Sequence, residues 1–593
     1  MDAASPSSVL TRAASVLSPA AREAARGRLT QAHDLGLALL GRARGAMEAE
    51  WFGSPLHRAL LLRPAPEGLA ARPRELRPIH RAQGARLVQG EFFLAGDALS
   101  VGPEGDPWDR PSPSARFARS LHRYDWIADL VAEPGVGAAQ ALRLHLDWRR
   151  VFGGWNAFSW EAAVLERRVF NLSCAIGPMT EHASDAETAA LCLDLARQAR
   201  HLAKIAARPE RAAERAVVVA VAGATLNDKA GEQLLGLGLK RLSRQLPRVV
   251  LADGVHASRS PQAGLELLFD LLTLDDVLSQ RGRDAPEALS RAIDRLAGAL
   301  RFFALADGRL ASFQGGETVA ASRVAAALAQ DASPTRAPDI APNGAYQRLK
   351  GQTLQGLVDV GAPARGVFAV QACAQPLALE VVCGRDRLIT NSGWSPANGA
   401  PDALRLSDAA STLTLADAAT ALLSGWRAAA FGPRLSDMPT RIDARRHEGA
   451  EGVWLDLVEH GRANRFGLRQ ARRLFLDVAH DQLRGEDRLE PASGAARREA
   501  RRYAPFTVRF QLHPDAKASL ARDQKSVLIK GPSNVGWWLR SDAPEVSIEP
   551  ALHFEDGVAR RTTQVVLRGQ ARSDSGGRIR WKLAQAEGLT PTA

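Results

Sequence analysis

Between Ser114 and Gln330 apolar residues recur at spacings of three and four, the period that gathers them on one face of an α-helix. The segments SARFARSLHRYDWIADLVA, EAAVLERRVFNLSCAIG, DAETAALCLDLARQARHLAKIAA, ERAAERAVVVAVAGATL, AGEQLLGLGLKRLSRQL and AGLELLFDLLTLDDVLSQ all carry it. Short polar, Gly- or Pro-containing connections separate them, so the pattern predicts consecutive helical hairpins. After about Asp339 the period becomes two. In PFTVRFQLHP, Phe506, Val508, Phe510 and Leu512 alternate with Thr507, Arg509, Gln511 and His513, the mark of a half-buried strand. GVFAVQAC, LALEVVCGRDRLITNSG, GVWLDLVEH, RRLFLDVAHDQL, KSVLIKG and TTQVVLRGQARSDSGGRIRWKLA read the same way, and together predict a large antiparallel β-sandwich.

Ahead of the helical array, Ser18 to Glu50 reads as a helix, with Ser18 as cap and Pro19 in the first turn, and GEFFLAGDAL reads as a short hairpin. The chain therefore divides into a leading arm (1–113), a helical domain (114–332), a Pro-rich linker (333–344) and a β-sandwich (345–593). A length of 593 residues suits two or three such units.

The net charge of +12 invites a polyanion. The bias is diffuse, however, and rests on Arg far more than Lys. No zinc-finger spacing, aromatic RNA-binding motif or concentrated basic tract accompanies it, so nucleic acid is not the expected partner. No run approaches the ~18 apolar residues of a membrane span. The N-terminus MDAASPSSVLTRAASVLSPAAREAARGRL places an acid at position 2 and builds no apolar signal-peptide core, which predicts a cytoplasmic protein; an unrecognised export signal would make it periplasmic. Cys174, Cys192, Cys373 and Cys383 form no CxxC pair and sit in apolar runs, so they are expected as buried thiols. Neither a metal nor a cofactor is expected: the histidines are scattered, and no P-loop, GxSxG, HExxH or dinucleotide fingerprint occurs.

LHRYDWIADL, the loop LADGVHASRSP, LEVVCGRDRLITNSG, RFGLRQARRL and GEDRLE follow one another between about Gly90 and Leu567. In that order they resemble the heparinase II/III-like family of polysaccharide lyases. The resemblance implies an incomplete α/α toroid followed by an antiparallel β-sandwich, with an acidic glycan bound between them. The implied reaction is β-elimination at a uronate: a group neutralises the carboxylate, a base takes the C5 proton and an acid protonates the leaving oxygen.

Three departures bear on that reaction. The family loop continues into a Tyr-His pair after its proline, whereas this chain runs Pro261, Gln262, Ala263, Gly264. Cys373 stands where a strand-opening histidine is expected. Glu210, Arg211 and Glu214 stand where lyases carry Asn-His followed by Glu.

The candidate catalytic groups are then His256 and Tyr346. Arg259, Trp155, Trp160, Arg150 and His460 are candidate contacts for an acidic sugar chain, the two Trp residues lying near Trp148 and Arg149 as well. Arg259 has an alternative role, fixing its loop through Asp253. Glu486 and Asp487 are expected to pair with the Arg-rich RQARRL strand, and of Trp537 and Trp538 strand alternation sends one inward. Two functions stay open: a lyase acting on a uronate-containing polysaccharide or oligosaccharide, or a noncatalytic glycan-binding or scaffold protein that has lost the catalytic set.

Overall fold

A computed structural model describes residues 19–586 except 207, 331–336, 397–399, 416–421, 424–426, 429–430, 437, 439–440, 461–466 and 493–502. The proposed Ser18 cap, the N-terminal segment before it and part of the Pro-rich linker lie outside the described residues.

The leading arm holds the helix Pro19–Phe52 and a hairpin pairing Glu91–Leu94 with Asp97–Ser100. The helical domain that follows is an incomplete α/α toroid. Its pattern placed one helix over Ser114–Ala132; there are two, Ala115–Arg123 and Ile127–Val131, because Tyr124 turns left-handed (φ 62°) and ends the first. The helix Ala212–Thr225 is apolar nearly all round, and nearly every one of its side chains is buried, as such a helix must be. It packs closely on Asp228–Val249. A Cβ on Gly238 would lie 2.5 Å from the Ala220 nitrogen, and one on Gly223 2.2 Å from the Leu235 nitrogen, so these glycines set the helix separation.

From Ile340 onward the regular structure among the described residues is mostly antiparallel sheet, interrupted by short 3-10 turns. One sheet of nine strands runs Glu545–Glu555, Val558–Arg572, Tyr503–Leu512, Asp386–Thr390, Leu379–Cys383, Leu354–Asp359, Tyr346–Lys350 and Ile340–Ala341, with Leu413–Leu415 also pairing Tyr503–Leu512. The second, of eight strands, runs Lys517–Leu520, Ser526–Lys530, Gly536–Ser541, Gly577–Gln585, Gln482–Pro491, Leu468–Asp477, Gly452–His460 and Arg441–Gly449.

The nine-stranded sheet is the middle layer. Tyr346, Leu357 and Val382 join the helical core on one side, while Leu349, Val358 and Val381 join the sandwich core on the other. Burial on both faces explains why Leu379–Cys383 and Asp386–Thr390 are buried at every position. One expected strand is absent: in GVFAVQAC, Gly366–Val370 forms a 3-10 helix, entered through Gly366 at φ 63°. The Arg405 guanidinium then ties the Ala372 carbonyl, and Ala374 N–H donates to the Arg405 carbonyl, so this stretch crosses the end of the sheet instead of pairing in it.

Candidate functional site

The loop Leu251–Ser260 lies where toroid meets sandwich. Val250 and His256 form an isolated antiparallel bridge, and Gly254 (φ 82°) backs so closely on the helix Glu287–Phe303 that a Cβ would sit 1.9 Å from the Arg295 carbonyl oxygen. Asp253 accepts the Asn343 and Gly344 N–H groups at 2.6 and 2.7 Å, fastening the linker to the loop. Ser260 caps the next helix, Pro261–Gln280, by accepting the Ala263 N–H.

Arg259 sits at φ 67°, a strained conformation for an arginine, and its side chain faces the sandwich. It donates to the carbonyls of Gly344, Gly361, Ala362 and Ala345 and pairs with the buried carboxylate of Asp359. Its partner is therefore Asp359, 100 residues along the chain, and not Asp253. All of this guanidinium's donors are occupied, so none is left for a substrate carboxylate.

Tyr346 lies beneath it, with the Arg259 guanidinium 4.8 Å from the ring centroid, and is fully buried among Phe303 and Phe313. Its hydroxyl donates to the Arg259 carbonyl at 2.7 Å, and burial drives its acidity well below that of a free phenol. The Tyr346 ring and Arg259 are thus in contact, as a joint between domains.

His256 is 3% exposed. Its Nδ1 accepts the Ser258 N–H at 3.1 Å and lies 2.7 Å from the Ser258 hydroxyl, so the neutral ring carries its proton on Nε2, an atom with no partner among the described residues. Phe368, from the 3-10 helix, packs edge-on at 5.6 Å. Burial, with Arg211 adding to it, lowers the pKa to about 3. A base that weak has little driving force at neutral pH, and the neutral ring offers no charge to a carboxylate.

The departures noted in the sequence are occupied in the same way. Arg211 bridges Glu166 and Glu214, both buried, and burial pushes the Glu214 carboxyl above its ordinary value. Glu210 pairs with Arg208 at 3.0 Å. Cys373 is buried, and its thiol is pushed up to about 11 by that burial, so it is no thiolate at neutral pH. Gln262, following the proline, accepts the Glu317 N–H at 3.1 Å, and Glu317 in turn accepts the Gly557 N–H at 2.6 Å, a further stitch between domains.

The remaining candidates have local partners. Trp160 is buried, donates to the Phe152 carbonyl and packs on His201; Trp148 is buried and donates to His122 Nδ1. Trp155 is half-buried beside Gly53. Arg150 is exposed and lies 3.4 Å from Asp147 and 3.7 Å from Asp106. His460 ends a strand of the eight-stranded sheet, where it meets Asp443 at 2.9 Å. Sequence reading did not single out Asp359, nor Glu380 and Arg387, which pair inside the interface and bind Ser312 and Asp307 from the toroid side. Asp359 follows an apolar strand, and no short-range spacing points from it to Arg259. Among the described residues no group of three or more His, Cys, Asp or Glu could hold a metal ion.

Residues 333–582 match the family profile described as heparinase II/III-like, C-terminal. A crystal structure of heparinase III superposes with a TM-score of 0.67 at 14% identity, covering 94% of this chain and 93% of that one. The chain belongs to the heparinase II/III-like family. A mutant heparan sulfate lyase from Pedobacter heparinus gives a TM-score of 0.55 at 14% identity over 88% of this chain and 87% of its own. Within reach by sequence is a protein of Caulobacter vibrioides named FtsZ-localized protein C, 55% identical over 554 residues, 93% of this chain and 96% of that one. The heparinase-like architecture is thus shared with lyases, while the sequence is shared with a protein named for where it localises.

Proposed function

We propose that this chain is a noncatalytic member of the heparinase II/III-like family, a binding or scaffold protein that associates with FtsZ. The carrying observation is the state of the interdomain residues: Arg259 and Tyr346 are consumed by the domain joint, His256 is buried and neutral, and Cys373 is a buried thiol. Supporting it is the 55% identity to the Caulobacter vibrioides protein named FtsZ-localized protein C. The lyase reading has the fold in its favour, at 14% identity to heparinase III. On the proposed reading the protein works in the cytoplasm, which fractionation of native cells tests.

The deciding experiment has two arms. Purified protein is incubated with a panel of uronate polymers while the ultraviolet absorbance of unsaturated product is followed, and it is sedimented with assembled FtsZ filaments. No product and co-sedimentation are expected. Product on any polymer would restore the lyase reading, and absence from the filament pellet would remove the FtsZ association.

A further inference from the structure

The eight-stranded sheet turns one face to the sandwich core and the other to solvent. Cross-strand register places Trp454, Phe475, Arg484, Lys582 and Arg540 in one row on the outward face, each opposite the next on five adjacent strands. At strand spacings of ~4.8 Å that row is about 19 Å long. Trp454 is 36% exposed and stacks on Phe475 with centroids 4.1 Å apart. The Arg484 guanidinium lies 5.7 Å from the Phe475 centroid, and Arg540 lies 5.5 Å from that of Trp538, two residues along the same strand face. Arg484 also meets Asp477 at 3.2 Å, whereas Lys582 and Arg540 form no ion pair among the described residues, although Asp523, held low by its hydrogen bonds from Ser526 and Lys525, also feels Arg540.

We infer that this face is a docking surface for an acidic peptide segment of a protein partner, an inference that rests on the binding reading above. Charge complementarity sets the sign. An exposed Trp454 stacked on the buried Phe475 and set beside guanidinium groups has the composition of an interface anchor, where Trp and Arg dominate the energy. The pattern of charge chooses the class. Asp477 and Glu486 lie on the same face, next to Arg484 along and across the strands, so a uniform polyanion laid over it meets like charge. A peptide with acidic side chains at discrete positions and an apolar residue for Trp454 avoids those carboxylates.

The test uses the full chain and a fluorescein-labelled peptide rich in Asp and Glu with one Leu, followed by anisotropy at near-physiological salt. The double variant Lys582→Glu, Arg540→Glu is expected to weaken binding about tenfold or more, and Trp454→Ala severalfold. The control Lys240→Glu, Arg244→Glu, two exposed cations on the helix Asp228–Val249, is expected to stay within about twofold, and thermal melts check that each variant is folded. Equal loss in control and double variant, or no binding by the wild type, overturns the proposal. Polygalacturonate, duplex DNA and phosphatidylglycerol vesicles are run in parallel. If any binds more tightly than the peptide and loses binding in the double variant, the occupant is that polyanion and the peptide assignment falls. Filament sedimentation separates the two claims: wild type and double variant pelleting equally with FtsZ sinks this surface and leaves the FtsZ association standing.

Discussion

Two basic regions of this molecule put the same side chain to opposite use. At the domain joint Arg259 is buried and bonded to four carbonyls and a carboxylate. On the outer sheet Arg540 and Lys582 face solvent and form no ion pair with a carboxylate among the described residues, Asp523 lying near Arg540 without contacting it. A guanidinium taken out of water must have every donor satisfied, so the joint's cation is fixed in a structural role. A solvated cation carries no such requirement and remains available to a partner. The groups that resemble a lyase centre are therefore where new contacts are hardest to make, and the sheet with no such resemblance is where they are easiest.

The largest effect that tests this contrast is Arg259→Ala. It leaves the Asp359 carboxylate, fully buried, without its ion partner and removes one donor from each of four carbonyls, of which Ala345 keeps the Val360 N–H. Breaking a buried pair from one side costs about 3–5 kcal/mol, so urea denaturation is expected to show a loss of that size. A loss below about 1 kcal/mol would mean that the joint is wetter and looser than its geometry says.

His256 gives a smaller, pH-dependent effect. Its pKa falls from 6.5 to about 3 on folding, so the unfolded chain binds the extra proton. The stability it contributes is complete above 6.5 and is lost as pH falls from there toward 3, at up to about 1.4 kcal/mol per pH unit. His122, His201 and His553, also depressed to about 3, share that sign, so the whole protein is expected to be acid-sensitive. Comparing His256→Gln with wild type between pH 7.5 and 5.5 isolates the one residue. The variant's stability should fall less steeply with acid by about 1 kcal/mol over that span. Parallel curves would show that His256 titrates normally, which would return it to candidacy as an acid or base.

Much of the architecture was legible because it is periodic. Spacings of three and four marked the toroid helices, and spacing of two marked Tyr503–Leu512, Gly452–His460 and the consecutive strands Val558–Arg572 and Gly577–Gln585, which lie in different sheets. The expected alternation at Trp537 and Trp538 holds, with the first 2% exposed and the second outward. The expected network at the Arg-rich strand is there in part: Arg472 and Asp487 form a fully buried pair, joined by the Trp581 indole, whereas Glu486 meets Arg488 and Arg578, which lie outside that strand. What local pattern did not reveal was burial imposed from a distance. His256 is covered by Phe368, from a segment that reads as a strand and folds as a 3-10 turn, and Arg259 is held by Asp359, a hundred residues away. The outward row of Trp454, Phe475, Arg484, Lys582 and Arg540 was illegible for a different reason. Its members are scattered over five strands, and only the register of four pairings aligns them.

The smallest effect sharpens the contrast most, because it keeps the chemistry of Arg259 and changes only the solvent. Arg473 pairs with Asp456 across neighbouring strands of the outer sheet, with side chains 45% and 39% exposed. Water solvates both ions once the pair is broken, and salt screens them while it is formed, so Arg473→Ala is expected to cost less than about 1 kcal/mol. The same arginine-to-alanine change thus spans a several-fold range within one chain, set by whether the abandoned carboxylate can reach water. Measured in the same urea series, a cost for Arg473→Ala matching that of Arg259→Ala would show that the outer sheet depends on its ion pairs. Its cations would then be structural like those of the joint, and the division between a fixed interior and an available surface would fail.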